Sequence, residues 1–107
     1  MPAVAEFELR ILLTVHRLSG DAYAVAVHRE LERRTRQKAS LGAVYITLDR
    51  LDRKGLLESS LGDPSPERGG RAKRYYRLSR AGLVAVRQEC RAMRRLWEGL
   101  DVAADGA

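Results

Sequence analysis

The stretch that decides the fold is Ala39–Leu61, ASLGAVYITLDRLDRKGLLESSL. Its apolar side chains recur at steps of three and four, at Val44, Leu48, Leu51 and Leu56. This spacing predicts a helix over residues 41–54 with one face on a core. Ser40 can cap the helix, because its hydroxyl can accept an unpaired amide of the first turn, and Gly55 suits a left-handed residue that ends it. A capped helix is therefore expected to lead directly into the next element.

That next element is predicted to be a β-hairpin. Leu57, Ser59 and Leu61 alternate with their neighbours as in a strand, and residues 73–78 read as a second strand. Between them, GDPSPERGGRA contains prolines and paired glycines that favour a loop. Basic and glycine residues concentrate at its tip, at Arg68, Gly69, Gly70, Arg71 and Lys73. Such a tip can contact a phosphate backbone, or it can be a solvated loop.

The helix side turned away from the core is expected to enter a DNA groove. We predict that its early residues contact DNA: Ser40, Gly42, Ala43, Tyr45, Thr47 and Arg50. Small residues allow close approach to base edges, while hydroxyl and guanidinium groups can bond bases or phosphates. Asp49 and Asp52 argue that only the first turns lie against DNA. The alternative is an ordinary solvated face.

Two more helices are predicted ahead of this stretch. Apolar residues from Val4 to Leu18 recur at helical spacing, and Asp21 is placed to cap a second helix that ends near Thr35. A second and third helix joined by a short polar segment make a helix-turn-helix, to which the hairpin adds a wing. The first helix has a wide apolar side, which suggests contacts with both the core and a second subunit, although a three-helix core alone could use both.

A last helix is predicted after Ser79, which can cap it. One apolar stripe follows its length, at Leu83, Val86, Cys90, Met93, Trp97 and Leu100. Nothing later in the chain covers this stripe, so we expect it to form a dimer interface, with Phe7 and Ile11 of the first helix as its nearest counterpart. Cys90 is expected to fill core space. Residues 101–107 are small and acidic and are expected to fray.

The composition of the chain limits the classes of function that it can have. The chain has 107 residues, with 20 lysines and arginines against 14 acidic residues and a formal charge of +6, which favours a polyanionic partner. No apolar run is long enough to span a membrane, and a single cysteine points to a reducing cytoplasm. His16 and His28 lack the neighbours of a metal site, and no catalytic residues recur at informative spacing, so no enzyme, metal or cofactor is expected.

Taken together, SLGAVYITLDRLDRKGLL and PERGGRAKRYYRLSRAG resemble the PadR family of bacterial winged helix-turn-helix transcription regulators. The matching positions are Ser40, Gly42, Tyr45, Leu48, Leu51, Lys54, Gly55, Tyr75, Tyr76, Leu78, Ser79 and Gly82. The chain has Ala24 where the family has glycine and Ile46 where many members have proline. The resemblance implies a mainly α fold with a small β-hairpin: a winged helix-turn-helix over residues 1–78 and a dimerisation helix over 79–100.

The resemblance also implies a function. It predicts a homodimer that binds an inverted-repeat operator in double-stranded DNA, usually as a repressor, with the helix from Leu41 in the major groove. Because one helix follows the hairpin, the chain looks like the short kind of member. Some relatives respond to small molecules at the dimer interface, where Trp97 could stack on a ligand; the alternative is that Trp97 simply packs on the apolar stripe, as such tryptophans more often do. The competing interpretation is a winged helix that binds protein or RNA, which weaker salt dependence or a preference against duplex DNA would reveal.

Overall fold

The computed structural model describes residues 4–62 and 72–103, and these form a mainly helical fold with one two-stranded hairpin, as predicted. Its elements in chain order are α1 (Glu6–Arg17), α2 (Ala24–Thr35), α3 (Leu41–Arg53), β1 (Leu57–Leu61), β2 (Arg74–Leu78) and α4 (Arg80–Trp97), followed by a 3-10 turn (Asp101–Ala103). The strands are antiparallel, with Leu57 opposite Leu78 and Leu61 opposite Arg74. The short turn stands where the sequence predicted a frayed tail.

The predicted caps of α3 and α4 are both present. The Ser40 hydroxyl accepts the amide of Ala43 at 3.1 Å. The Ser79 hydroxyl accepts the amide of Gly82 at 3.0 Å. Gly55 has a φ of 78°, the left-handed conformation expected after α3. The bonds to the Ser40 and Ser79 hydroxyls each satisfy an amide that the first turn of a helix leaves without a partner, so local sequence determines where both helices begin.

The cap predicted for α2 is wrong. α2 begins after Tyr23, which makes no side-chain cap bond, and Asp21 is exposed two residues earlier. The segment between α1 and α2 runs along the hairpin instead, because the carbonyl of Ala22 accepts the amide of Tyr76 at 2.8 Å. Ala22 is thus bonded to β2 and Tyr23 is extended, so the helix starts beyond the predicted cap.

The core joins all four helices and the start of β1. Its buried apolar residues are Ile11, Leu12, Val15, Ala22, Ala24, Val27, Leu31, Val44, Leu48, Leu51, Leu56, Leu57, Ala85 and Val86. Ile11 is fully buried because α1 is packed against α2, α3, α4 and β2. Val86 is also buried. The prediction that these two side chains face a second subunit is therefore wrong, since both already pack inside their own chain.

The first part of α4 is fixed closely against the end of α3. The Ser79 hydroxyl donates to the carbonyl of Gly55 at 2.6 Å, and the Ser79 amide donates to the carbonyl of Leu56 at 3.1 Å. A Cβ at Gly82 would lie 2.0 Å from the Leu56 oxygen, so only glycine fits there. The backbone of α4 therefore lies directly on the junction between α3 and β1.

The later part of α4 is open to solvent. Met93 and Leu100 are exposed, and Leu96, which the sequence stripe did not include, is 74% exposed. Cys90 is exposed as well, so the prediction that it fills core space is wrong. Phe7, Leu83 and Trp97, three other residues of the predicted interface, are half-buried. An apolar surface thus continues beyond the domain that covers the beginning of the same helix.

Candidate nucleic-acid interface

The exposed side of α3 differs from the predicted one by a rotation about the helix axis. Besides Leu41 at its first position, its exposed residues recur at steps of three and four, and we call these the recognition face: Gly42, Tyr45, Ile46, Asp49, Arg50 and Arg53. Tyr45 is 52% exposed and Ile46 is 61% exposed. Ser40 is exposed at the helix start and Ala43 is half-buried at its edge. The predicted Gly42, Tyr45 and Arg50 therefore lie on one surface.

Thr47 does not lie on that surface. Only 4% of it is exposed, so the expectation that its side chain is free to reach DNA is wrong. α3 packs against α1, α2 and β1 together, which widens its buried arc beyond the Leu48 and Leu51 side. A polar residue beside that arc is covered even though its chemistry suggested exposure.

Ile46 is the residue that sequence reasoning missed. In the sequence Ile46 stands out only as a departure from a family pattern, yet it is among the most exposed residues of α3. Its position one residue after Tyr45, and four after Gly42, places it at the centre of the recognition face. A wheel centred on Gly42 instead of Ala43 could have found it. An exposed branched alkyl group here could contact the methyl group of a thymine.

Lys54, the residue directly after α3, forms an ion pair. Its Nζ lies 2.8 Å from Oε2 of Glu8, which is buried near the start of α1. The other oxygen of Glu8 accepts the amide of Ala5 at 3.0 Å. Burial acts to raise the pKa of Glu8, but the hydrogen bonds from Lys54 and Ala5, with the charges of Lys54 and Arg50, hold that pKa below its ordinary value. Lys54 therefore ties α3 to α1.

A chain of hydrogen bonds ties the hairpin to α3. Arg74 of β2 donates to the hydroxyl of Ser59 at 3.1 Å, and that hydroxyl donates to the Asp52 carboxylate at 2.7 Å. Asp52 belongs to the last turn of α3, so the bonds cross from the helix through β1 to β2. Asp52, which the sequence counted against DNA contact, instead fixes the angle between α3 and the wing.

The base of the wing is held by aromatic contacts. The Lys73 ammonium lies 3.8 Å from the ring centre of Tyr23, whose ring meets that of Tyr75 edge-on at 5.7 Å. A Cβ at Gly62 would lie 2.6 Å from the Tyr75 ring, so the half-buried Tyr75 side chain covers this glycine. Lys73 is thus positioned by a cation–π contact. The other predicted wing-tip residues, Arg68, Gly69, Gly70 and Arg71, lie outside the described residues.

Other kinds of site find little support in the described ranges. Among residues 4–62 and 72–103, no group of three histidine, cysteine or carboxylate side chains is arranged to hold a metal ion. No helix in these ranges is long and apolar enough to cross a membrane. Basic side chains and a capped, exposed helix start remain the most informative features.

Comparisons with known proteins agree with this geometry. Residues 11–88 match the transcriptional regulator PadR-like family. A PadR-like transcription factor from Bacteroides fragilis aligns with 24% identity over 86% of this chain and 84% of that chain, with a TM-score of 0.72. RosR of H. salinarum aligns with 28% identity over 90% and 79% of the two chains, with a TM-score of 0.69.

A PadR-like transcriptional regulator from Bacillus cereus aligns with 21% identity over 87% and 92% of the two chains, with a TM-score of 0.62. No curated protein matches the sequence. The low identities show a common fold, whereas the family match spans residues 11–88, which include α2, α3 and the hairpin. The chain belongs to the PadR-like family of transcriptional regulators, which bind DNA.

Proposed function

We propose that the chain is a repressor that binds an inverted-repeat operator as a homodimer in the cytoplasm. The observation that carries the proposal is the recognition face: an exposed, capped helix start beside a wing that hydrogen bonds tie to the same helix. A formal charge of +6 favours approach to DNA. The operator lies in double-stranded DNA, and no cofactor is required.

The start of α3 supplies the proposed base contacts. Gly42 lets the backbone approach base edges, Tyr45 and Arg50 offer hydrogen bonds, and Ile46 offers an apolar contact. Ser40 and Ala43 flank these residues at the first turn. The Asp49 carboxylate pairs with Arg53 at 3.0 Å, which reduces its repulsion of phosphate. Arg68, Gly69, Gly70 and Arg71 are proposed to contact the phosphate backbone, with Lys73 setting the base of the wing.

The exposed part of α4 supplies the proposed dimer contact. Met93 and Leu96, with Leu100 just beyond the helix, present an apolar surface bordered by half-buried Trp97. Burial of one large apolar side chain contributes about 1.5 to 3 kcal/mol, so several on each chain can outweigh the cost of association. A two-fold axis through this surface would require an inverted repeat, and half-sites one DNA turn apart would require the two α3 helices to lie ~34 Å apart. We further propose that exposed Cys90 and half-buried Leu83 and Phe7 contribute to this contact.

The direct experiment is selection of bound duplexes from a random pool, followed by footprinting of the selected sequence. We expect an inverted repeat with half-sites about one helical turn apart. The control is a duplex of the same composition in scrambled order, titrated across salt concentrations. A chain that binds both duplexes alike, or that prefers single-stranded RNA or a protein, would contradict the proposal.

Matched variants test the orientation of α3. Tyr45→Ala should weaken operator binding by about 1 to 3 kcal/mol and affect the scrambled duplex less. Thr47→Val keeps the side-chain volume and removes a hydroxyl that is buried, so its operator affinity should stay near that of the wild type. A larger loss from Thr47→Val than from Tyr45→Ala would show that the other side of α3 meets DNA.

A further inference from the structure

The turn between α2 and α3 is held by two side chains of α2. Nε2 of His28 lies 2.7 Å from the carbonyl oxygen of Ala39, and Oε2 of Glu32 accepts the amide of Ala39 at 2.8 Å. Both backbone polar groups of one residue are therefore bonded to the preceding helix. His28 and Glu32 lie four positions apart and so share one face of α2. We call these three residues the turn clamp.

The contacts of the turn clamp determine which ring nitrogen of His28 carries a hydrogen. A carbonyl oxygen can only accept, so Nε2 carries the hydrogen that Ala39 receives. The Glu32 carboxylate lies 3.4 Å from the same nitrogen, which favours a hydrogen there. Nε2 keeps its hydrogen in both the neutral and the charged ring, so the bond to Ala39 does not require a change of protonation. His28 is a donor in this clamp and Glu32 is an acceptor.

The position of Ala39 gives the clamp its consequence. Ala39 immediately precedes Ser40, whose hydroxyl caps α3, and the exposed residues of the recognition face begin at Gly42. Apolar packing of α3 through Val44 and Leu48 holds the helix in the fold, but such contacts are not directional. Base recognition needs placement within about 0.5 Å. Directional hydrogen bonds at the turn can supply that precision.

We propose that His28 and Glu32 are positioning residues that set the first turn of α3 against the bases without touching DNA themselves. This inference rests on the proposed function, because it assumes that α3 distinguishes an operator from other duplexes. Loss of the clamp should leave α3 folded, since its core contacts remain, but should let its first turn shift. Sequence preference should then fall more than overall DNA affinity.

The experiment uses the full chain and two matched pairs of variants, His28→Gln with His28→Met and Glu32→Gln with Glu32→Met. Glutamine and methionine have similar length and helix propensity, so each pair differs chiefly in the ability to form a hydrogen bond. The probes are the duplex selected from the random pool and its scrambled form. We expect each methionine variant to lose about tenfold in operator affinity, as for one lost base contact, and little on the scrambled duplex. Each glutamine variant should stay within about threefold of the wild type, because it keeps the bond to Ala39.

Two results would overturn the inference: equal operator affinity for the glutamine and methionine members of both pairs, or parallel losses on operator and scrambled duplex. Hydrogen exchange of the Ala39 amide in the free protein gives a reading that does not depend on an operator. Glu32→Met should exchange about tenfold faster than Glu32→Gln, and equal rates would contradict the clamp. A wild-type chain without sequence preference would contradict the proposed function, and the exchange rates would then decide the clamp alone.

Discussion

The two halves of α4 carry the same apolar stripe but meet different surroundings. In the proximal half, residues 80–89, the buried residues Gly82, Ala85 and Val86 pack on the chain's own domain. In the distal half, residues 90–97, Met93 and Leu96 on the same side are exposed, and Leu100 beyond the helix is exposed too. A periodic apolar stripe therefore indicates a helix face that packs against some other surface. Only the fold shows how much of it the chain covers by itself.

The largest effect is expected at the distal half. Leu96→Glu removes two large apolar side chains from each proposed dimer and brings two carboxylates together, which should cost about 3 to 6 kcal/mol of association free energy. Dilution in a sedimentation experiment measures this change. Val84→Glu, on another side of α4, is the control and should leave association unaltered. Equal behaviour of the two variants would show that the distal half does not join two chains.

At the proximal half, Gly82→Ala should destabilise the fold by about 3 kcal/mol. The new Cβ would lie 2.0 Å from the backbone oxygen of Leu56, which no side-chain rotation can relieve. The midpoint of urea unfolding reports the change. An unaltered midpoint would mean that α4 does not rest on the α3–β1 junction.

The domain beneath the proximal half is expected to depend on the pair between Lys54 and Glu8. Lys54→Met leaves a buried carboxylate without its partner, and we expect a loss of about 2 kcal/mol of unfolding free energy at pH 7, less than for a fully buried pair because Lys54 is partly exposed. Arg77→Met, which breaks an exposed pair with Glu58, is the control and should cost little.

The same pair predicts a pH dependence. The pKa of Glu8 in the fold lies below its ordinary value of 4.5, so the pair stabilises the wild type above that pH, and this stabilisation is lost as pH falls through the lower folded pKa. Unfolding free energies of wild type and Lys54→Met should therefore converge below pH 4.5. A difference that stayed constant from pH 7 to pH 3 would contradict this account.

The smallest effect contrasts two glycines. Gly42→Ala should stabilise the fold by about 0.5 to 1 kcal/mol, because alanine favours a helix and the new Cβ meets only the Ser40 hydroxyl at 3.5 Å. The same change at Gly82 has the opposite sign. Operator affinity of Gly42→Ala should nevertheless fall, since the backbone approach is proposed to occur there. Higher stability with unchanged affinity would place Gly42 away from DNA.

Much of the fold was predictable because its signals are local. Ser40, Ser79 and Gly55 act on the helix ends beside them, and the predicted spans of α3 and β1 agree closely with the structure. The predictions were wrong where contacts between residues distant in the sequence determine the structure. The bond from Tyr76 to Ala22 displaced the α2 cap, and packing on several sides of α3 buried Thr47 and left Ile46 exposed.

The predicted dimer interface on α4 shows the same contrast between local signals and distant contacts. Its spacing was readable from sequence, but the burial of Ile11 and Val86, and the exposure of Leu96 and Cys90, depend on where the domain ends beneath α4. The turn clamp could not be read from sequence at all. His28 and Glu32 look like ordinary surface residues until the fold brings Ala39 against them.

Deletion of all of α4 would not test dimerisation alone. It would also destabilise the domain, because it removes Ala85 and Val86 from the core.

We propose that the distal half of α4 pairs two chains so that two α3 helices can bind one inverted repeat. Sedimentation of the intact chain at micromolar concentration, alone and with the selected duplex, tests it most directly. We expect a species of twice 12.0 kDa without DNA and two chains on each duplex with it. A single chain of 12.0 kDa in solution that binds the duplex one to one would contradict it.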